Sequence, residues 1–233
     1  MSQPPSDDDR VRVDDTDEPP LQGRRLRIVP VLVVAALALA ALIVVQYFDL
    51  AGERSQAEAV AVSERFIEAH NSWDYETARS LVVDTAEISM NPARSVDELE
   101  MGMAWLEATG WAITSNGCRA ISGPFEEDPV HVLCSLAHEN AWSRAMGLEP
   151  DTRGALTLDV VSGEITTAIY SSAPMAFNHD WVSAFVGWVD ETHPDDRDEM
   201  FLYDQLPALT HESIELWKQH TDEFVEARRG QAD

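Results

Sequence analysis

The chain has 233 residues, 42 of them acidic and 16 basic, for a formal charge of −26 at pH 7. Such an excess of acid argues against nucleic acid as a partner, because phosphate binding works through Lys and Arg that release counterions, and it disfavours a domain lying flat on anionic lipid. One Lys, Lys218, stands against fifteen Arg, and Ala, Val and Asp abound, which points to a GC-rich bacterial genome.

Residues 1–27 open with Asp, Pro, Ser, Gln and Glu and almost no large apolar residue, which predicts a disordered acidic cytoplasmic tail. Residues 28–48, IVPVLVVAALALAALIVVQYF, contain no charged side chain. At about 1.5 Å of rise per residue they reach roughly 31 Å as a helix, close to the thickness of a bilayer core. Pro30 falls in the first turn, where its missing N–H has no helical partner in any case. A cleavable signal would have a shorter apolar core and small residues at the cut; here the run ends in Gln46-Tyr47-Phe48-Asp49, so a retained transmembrane helix is expected. Arg24, Arg25 and Arg27 precede it, and only Arg54 follows closely. The cationic flank stays inside, which places the carboxy-terminal region outside the cytoplasm and Tyr47 at the outer interface.

Residues 49–54 read as a juxtamembrane linker. Beyond them, Val60, Ala61, Phe66, Ile67, Tyr75, Ala78, Leu81 and Val82 recur at helical spacing, with a break at Asn71-Ser72. This predicts two helices, the second capped by Asp74 and running through Val82. Ser95 and Glu98 have the spacing of a capping box for a third helix that ends at Gly110. From Trp111 the period changes to two, and residues 111–122, 130–138, 140–147, 154–161 and 164–171 read as strands. Ser162-Gly163 is the turn of the last hairpin, setting Val160 opposite Ile165 and Leu158 opposite Thr167.

If the first two of these strands fold back about Glu126, residues whose numbers sum to 252 face one another, and Cys118 and Cys134 meet that condition. A Cys118–Cys134 disulfide follows, suited to the oxidising side of a membrane. Residues 173–233 return to helix: Trp181, Phe185, Trp188 and Val189 form a stripe that stops at His193-Pro194, residues 195–203 make a short helix, and Thr210 caps a last helix reaching Arg228 and Arg229.

Three helices followed by antiparallel strands, with SERFIEAHNSWDYETARSLV at the start and the DVVSGEITTAIY hairpin near the end, resemble the nuclear transport factor 2-like, or SnoaL-like, superfamily over residues 55–172. The resemblance implies an α+β fold, helices packed on a curved antiparallel sheet that forms a cone with an apolar pocket, here with a carboxy-terminal helical extension. Some members of that family are ketosteroid isomerases or polyketide cyclases, which use a pocket carboxylate as base; many only bind or dimerise, and a homodimer is one assembly this implies.

The chemistry such a pocket needs has few candidates. Asp84, with Tyr75 as donor, is the first choice for a catalytic pair, and Asp74 and Glu87 lie nearby. Asp159 and Glu164 fall on the polar side of the hairpin. His131 and His138 are seven apart on one strand, hence on opposite faces. His193, Asp195 and Asp196 are read as a helix stop and a new cap, so no metal and no cofactor are expected. Nucleophile-elbow, zinc-protease, P-loop and dinucleotide motifs are missing from the sequence. The leading expectation is a non-catalytic, single-pass module of the cell envelope that binds an envelope protein or an apolar small ligand. An isomerase- or cyclase-like enzyme is the alternative.

Overall fold

The computed structural model describes residues 25–90, 92–122, 128–172, 180–202 and 206–230. The acidic tail up to Arg24, the turn about Glu126 and the expected helix end at Tyr203 therefore lie outside the described residues. The chain divides into two compact units, Met1–Tyr47 and Phe48–Asp233.

In the first unit the described residues belong to the helix α1, Arg25–Asn71. Its side chains from Val33 to Val45 are exposed, Leu37 to 66% and Leu42 to 60%. It is the one helix among the described residues long and apolar enough to cross a membrane. Residues 49–54, expected as a linker, are helical. Their single Gly52 costs only about 1 kcal/mol relative to Ala, and the Ala, Glu and Arg around it favour helix.

In the second unit, α1 buries Ala59, Val62, Ser63, Phe66, Ile67 and His70. The stripe is rotated from the expected one, since Ala61 points to solvent. Asn71 ends the helix and clamps a strand edge: its side-chain amide donates to Ile113 O at 2.5 Å and its Oδ1 accepts from Ile113 N at 3.1 Å. Asp74 caps α2, Tyr75–Ser80, by accepting from Thr77 N, as expected. α2 is shorter than the sequence suggested, and Val82–Ser89 is a strand, β1. The clue was present in VVDTAEIS: Ala86 and Ile88 alternate with Thr85, Glu87 and Ser89, and the β-branched Val82, Val83, Thr85 and Ile88 favour the pleat.

Ser95 and Glu98 engage one another, but ahead of the third helix. Glu98 N donates to Ser95 Oγ at 3.3 Å and the Glu98 carboxylate takes Arg94 N–H, while α3 spans Leu99–Ala108. Gly110, at φ +61°, closes α3: Gly110 N donates to Glu107 O and Trp111 N to Leu106 O, the paired bonds that satisfy a helix end through a left-handed residue.

β2 is Ala112–Ala120 and β3 is Val130–Glu139. Residues 140–147, expected as a strand, instead start the helix α4, Ala141–Ala145. Asn140 and Ser143 form a reciprocal cap that satisfies two backbone donors and outweighs the alternation. β4, Asp151–Val161, and β5, Glu164–Ser172, make the final hairpin, with Ser162 and Gly163 both at positive φ as a tight two-residue turn demands.

The sheet order is β1-β5-β4-β3-β2, antiparallel throughout except that β1 joins β5 in parallel. Val160 faces Ile165 as expected, but a register shift then sets Leu158 opposite Ala168 in place of Thr167. A bulge moves one face by a residue. Ala168 is thereby buried and Ile169 turned outward. Cys118 pairs with Cys134 in register and the two form a disulfide.

Two apolar cores result. The first is aliphatic: alternate residues Val130, Val132, Cys134 and Leu136 of β3 and Leu156, Leu158 and Val160 of β4 pack with Phe66, Ile67, Leu99 and Met103. The second is aromatic and gathers the extension: α5, Asp180–Thr192; a 3-10 turn, Pro194–Asp196; α6, Arg197–Met200; and α7, His211–Arg229, capped by Thr210 as expected. α6 stops at Met200, before the expected 203, because Phe201 turns extended. Trp105, Trp142, Phe185, Trp217 and Phe224 meet there, with Trp142 stacked on Phe185 at 4.2 Å and Trp217 edge-on to Trp105 at 5.3 Å.

Candidate functional site

The acids nominated from the sequence do not converge. Asp84 is an exposed residue of β1 and pairs with Arg79. Its supposed partner Tyr75 packs against the aliphatic core. Asp74 is the exposed cap of α2, and Glu87 and Glu164 are exposed. The outer face of the sheet holds Asp159, whose Oδ1 is 2.5 Å from His131 Nδ1. The inner face, where an apolar pocket was expected, is occupied by the sheet's own side chains, with Val132, Leu156 and Leu158 at most 1% exposed.

A site nevertheless forms at one end of β3. His138 falls on the inner face, opposite His131 as the spacing required, and is buried. Its ring lies flat on Trp111 at 5.3 Å, and its Nδ1 is 2.9 Å from Tyr170 Oη on β5. Burial and the charge of Asp151 push the Tyr170 phenol well above its ordinary range. It therefore stays protonated and can donate to His138 Nδ1.

Between these strands lies Gly154 on β4. A Cβ there would sit 2.9 Å from Tyr170 Oη and 3.2 Å from Leu136 O, so only glycine lets the phenol reach the imidazole unhindered.

This corner opens into a cleft of about 370 Å³ lined by His138, Ser143, Leu148, Asp151, Arg153 and Trp181 among others. Asp151 is opposite His138 in the β3–β4 register. The Arg153 guanidinium grips its carboxylate with two bonds, Nε to Oδ1 at 2.9 Å and Nη2 to Oδ2 at 2.6 Å. That contact holds the Asp151 carboxyl far below the usual carboxylate range. The cleft thus offers the indole of Trp181, the guanidinium of Arg153 and the imidazole of His138, whose Nδ1 is taken by Tyr170. Neither Asp151 nor Tyr170 was nominated beforehand, because a lone acid at a strand start and a Tyr in a hairpin carry no spacing signal.

A second groove of about 460 Å³ runs along α3 and α7, lined by Glu107, Ile214, Glu215 and Lys218 among others. Of His193, Asp195 and Asp196, the first and last turn toward α7, and Asp195 is exposed.

No family model matches the chain, and no curated protein matches it. Among solved structures, it is similar to a nuclear transport factor 2-like protein of unknown function from Cytophaga hutchinsonii, at 11% identity and TM-score 0.36, over 48% of this chain and 88% of that one. It is also similar to a candidate ketosteroid isomerase from Kribbella flavida, at 18% identity and TM-score 0.37, over 54% and 88%. A third is an epoxide hydrolase from M. tuberculosis, at 14% identity and TM-score 0.36, over 49% and 82%.

Proposed function

We propose that this chain is a single-pass membrane protein whose tail lies in the cytoplasm and whose folded part, residues 55–233, lies outside it as a non-catalytic module that binds an envelope component. The uncharged stretch of α1 and its arginine flank support the topology. The disulfide supports the compartment, since such bonds persist where thiols are not kept reduced.

The observation that carries binding over catalysis is the state of Asp151. Proton abstraction beside a carbonyl needs a base whose pKa lies near the working pH. Of the three acids that line this cleft, Asp151 is instead gripped by Arg153 and made a very weak base, Glu139 pairs with Arg144, and Glu149 is exposed. A salt-bridged carboxylate beside Trp181 is suited to holding a polar partner.

Photo-crosslinking in living cells tests this. A crosslinker at Thr152, exposed at the cleft, should capture one discrete envelope component; the same group at Glu164, exposed on the hairpin end, should not. Equal capture from both positions would overturn the assignment of the cleft, and protection of the folded part from protease added to intact cells would overturn the topology. Association into a homodimer through the sheet is a separate arm, read from the mass of the full chain in detergent.

The isomerase- or cyclase-like reading has one observation in its favour, the His138 imidazole that lines the same cleft and is hydrogen-bonded to the Tyr170 phenol. Turnover of a steroid or polyketide-like ketone by the full chain, abolished in Tyr170→Phe, would establish it in place of binding.

A further inference from the structure

Away from the cleft, four side chains from two stretches of the extension meet. His193 closes α5, its N–H donating to Val189 O at 2.8 Å, and Asp196 follows in the 3-10 turn. His220 and Glu223 stand three apart on α7, hence on one face of it. His193 Nε2 lies 2.9 Å from Glu223 Oε2, His220 Nδ1 lies 3.4 Å from that same oxygen, and His220 Nε2 lies 2.8 Å from Asp196 Oδ2. The two imidazoles stack at 4.0 Å, under the indole of Trp188 at 5.1 Å from His193.

The hydrogen-bond inventory of this cluster does not close on neutral groups. A carboxylate only accepts, so the nitrogen facing Asp196 carries the proton of His220. In a neutral ring Nδ1 is then a lone pair, and with the His220 side chain 0% exposed it faces a lone pair of Glu223. The contact needs a positive charge between the two atoms, as a proton or as a metal ion. One divalent ion at the common point answers all three atoms at once.

We propose that His193 Nε2, His220 Nδ1 and the Glu223 carboxylate bind a zinc-like divalent ion, with Asp196 as the outer carboxylate that fixes the His220 ring. Two imidazoles and a carboxylate are a borderline ligand set that suits Zn²⁺, and a carboxylate behind a ligating histidine is the usual orienting partner. The three donor atoms lie within 4.8 Å of one another. Tetrahedral ligands at roughly 2.0–2.2 Å are about 3.4 Å apart, and Glu223 Oε2 already lies 2.9 Å from His193 Nε2 and 3.4 Å from His220 Nδ1. The ion would tie α7 to the turn after α5 and leave one coordination position for water or for a group on a partner.

The test uses the full chain in detergent, stripped by a chelator and titrated with Zn²⁺ against a chromophoric competitor, and with Co²⁺ for its visible absorption. One ion per chain is expected. Affinity should fall by at least about a hundredfold in His193→Asn and in Glu223→Gln, and by about ten- to a hundredfold in Asp196→Asn. His131→Asn, on the outer face of the sheet, should change nothing. His193 is 27% exposed in its side chain, so its variant keeps the fold, which the near-ultraviolet spectrum of the tryptophans verifies. Absence of saturable Zn²⁺ binding would overturn the site. So would binding that His193→Asn and Glu223→Gln leave intact, which would place the ion on the acidic surface.

Discussion

The aliphatic and aromatic cores are built by opposite means. In the first, alternate residues of neighbouring strands meet across short connections, as Leu156 does with Cys134 and Tyr170, and the disulfide lies within that ladder. In the second, Trp105, Trp142, Phe185 and Trp217 arrive from four helices with no ladder to set their register. Large rings there supply area, and a few polar bonds supply direction: Trp142 Nε1 donates to Thr221 Oγ1 at 3.1 Å and Trp217 Nε1 to Met200 O at 3.0 Å. The lesson is that backbone pairing allows a core of small branched side chains, whereas helices brought in from afar need aromatics to hold their places. α3 joins the two, giving Leu99 and Met103 to one and Trp105 and Leu106 to the other.

The largest way to break this comparison is Trp217→Ala. It removes a fully buried ring and one bond, and should cost about 3–5 kcal/mol, with near-ultraviolet dichroism lost before the strand signal. A single transition in both signals would show that the two cores melt as one. On the sheet side, replacing both Cys118 and Cys134 by Ser should lower stability by about 3 kcal/mol while leaving the near-ultraviolet signal of the aromatic core in place, as a denaturant titration would show.

Acid acts on the aliphatic core through His70. Burial pushes its imidazole from an ordinary 6.5 down to about 4. Between those values the unfolded chain binds a proton that the folded chain refuses, so this contribution is complete above about pH 6.5 and is lost as the pH falls toward 4, by at most about 3 kcal/mol. Thermal melts across that window should fall, and His70→Gln should flatten the slope. The smallest expected effect is Gly154→Ala: its methyl meets Tyr170 Oη at 2.9 Å and should cost about 1–3 kcal/mol. Stability equal to the parent's would mean that the phenol has room to leave the imidazole.

Much of the sheet was legible because its period-2 pattern is local. The Ser162-Gly163 turn set Val160 against Ile165, and one sum rule brought Cys118 to Cys134. It failed where a bulge changed the count, at Thr167, and where side chains capped a backbone against the pattern, at Asn140. Asp84, expected beside the second helix, lies in strand β1, exposed and paired with Arg79, because helix and strand place it differently. His138 was seen, and its face foreseen, but its partner Tyr170 lies two strands away and has no sequence offset to betray it. His220 and Glu223 were invisible for the same reason, since α7 reads only as an amphipathic helix until it is laid against His193.

The parallel pairing of β1 with β5 sets an order of events in biogenesis. Val82 must wait for Ile165 before its edge is covered, and contacts so far apart in sequence form slowly. A chain synthesised amino-terminus first therefore carries its earliest strand unpaired until nearly the whole sheet has followed.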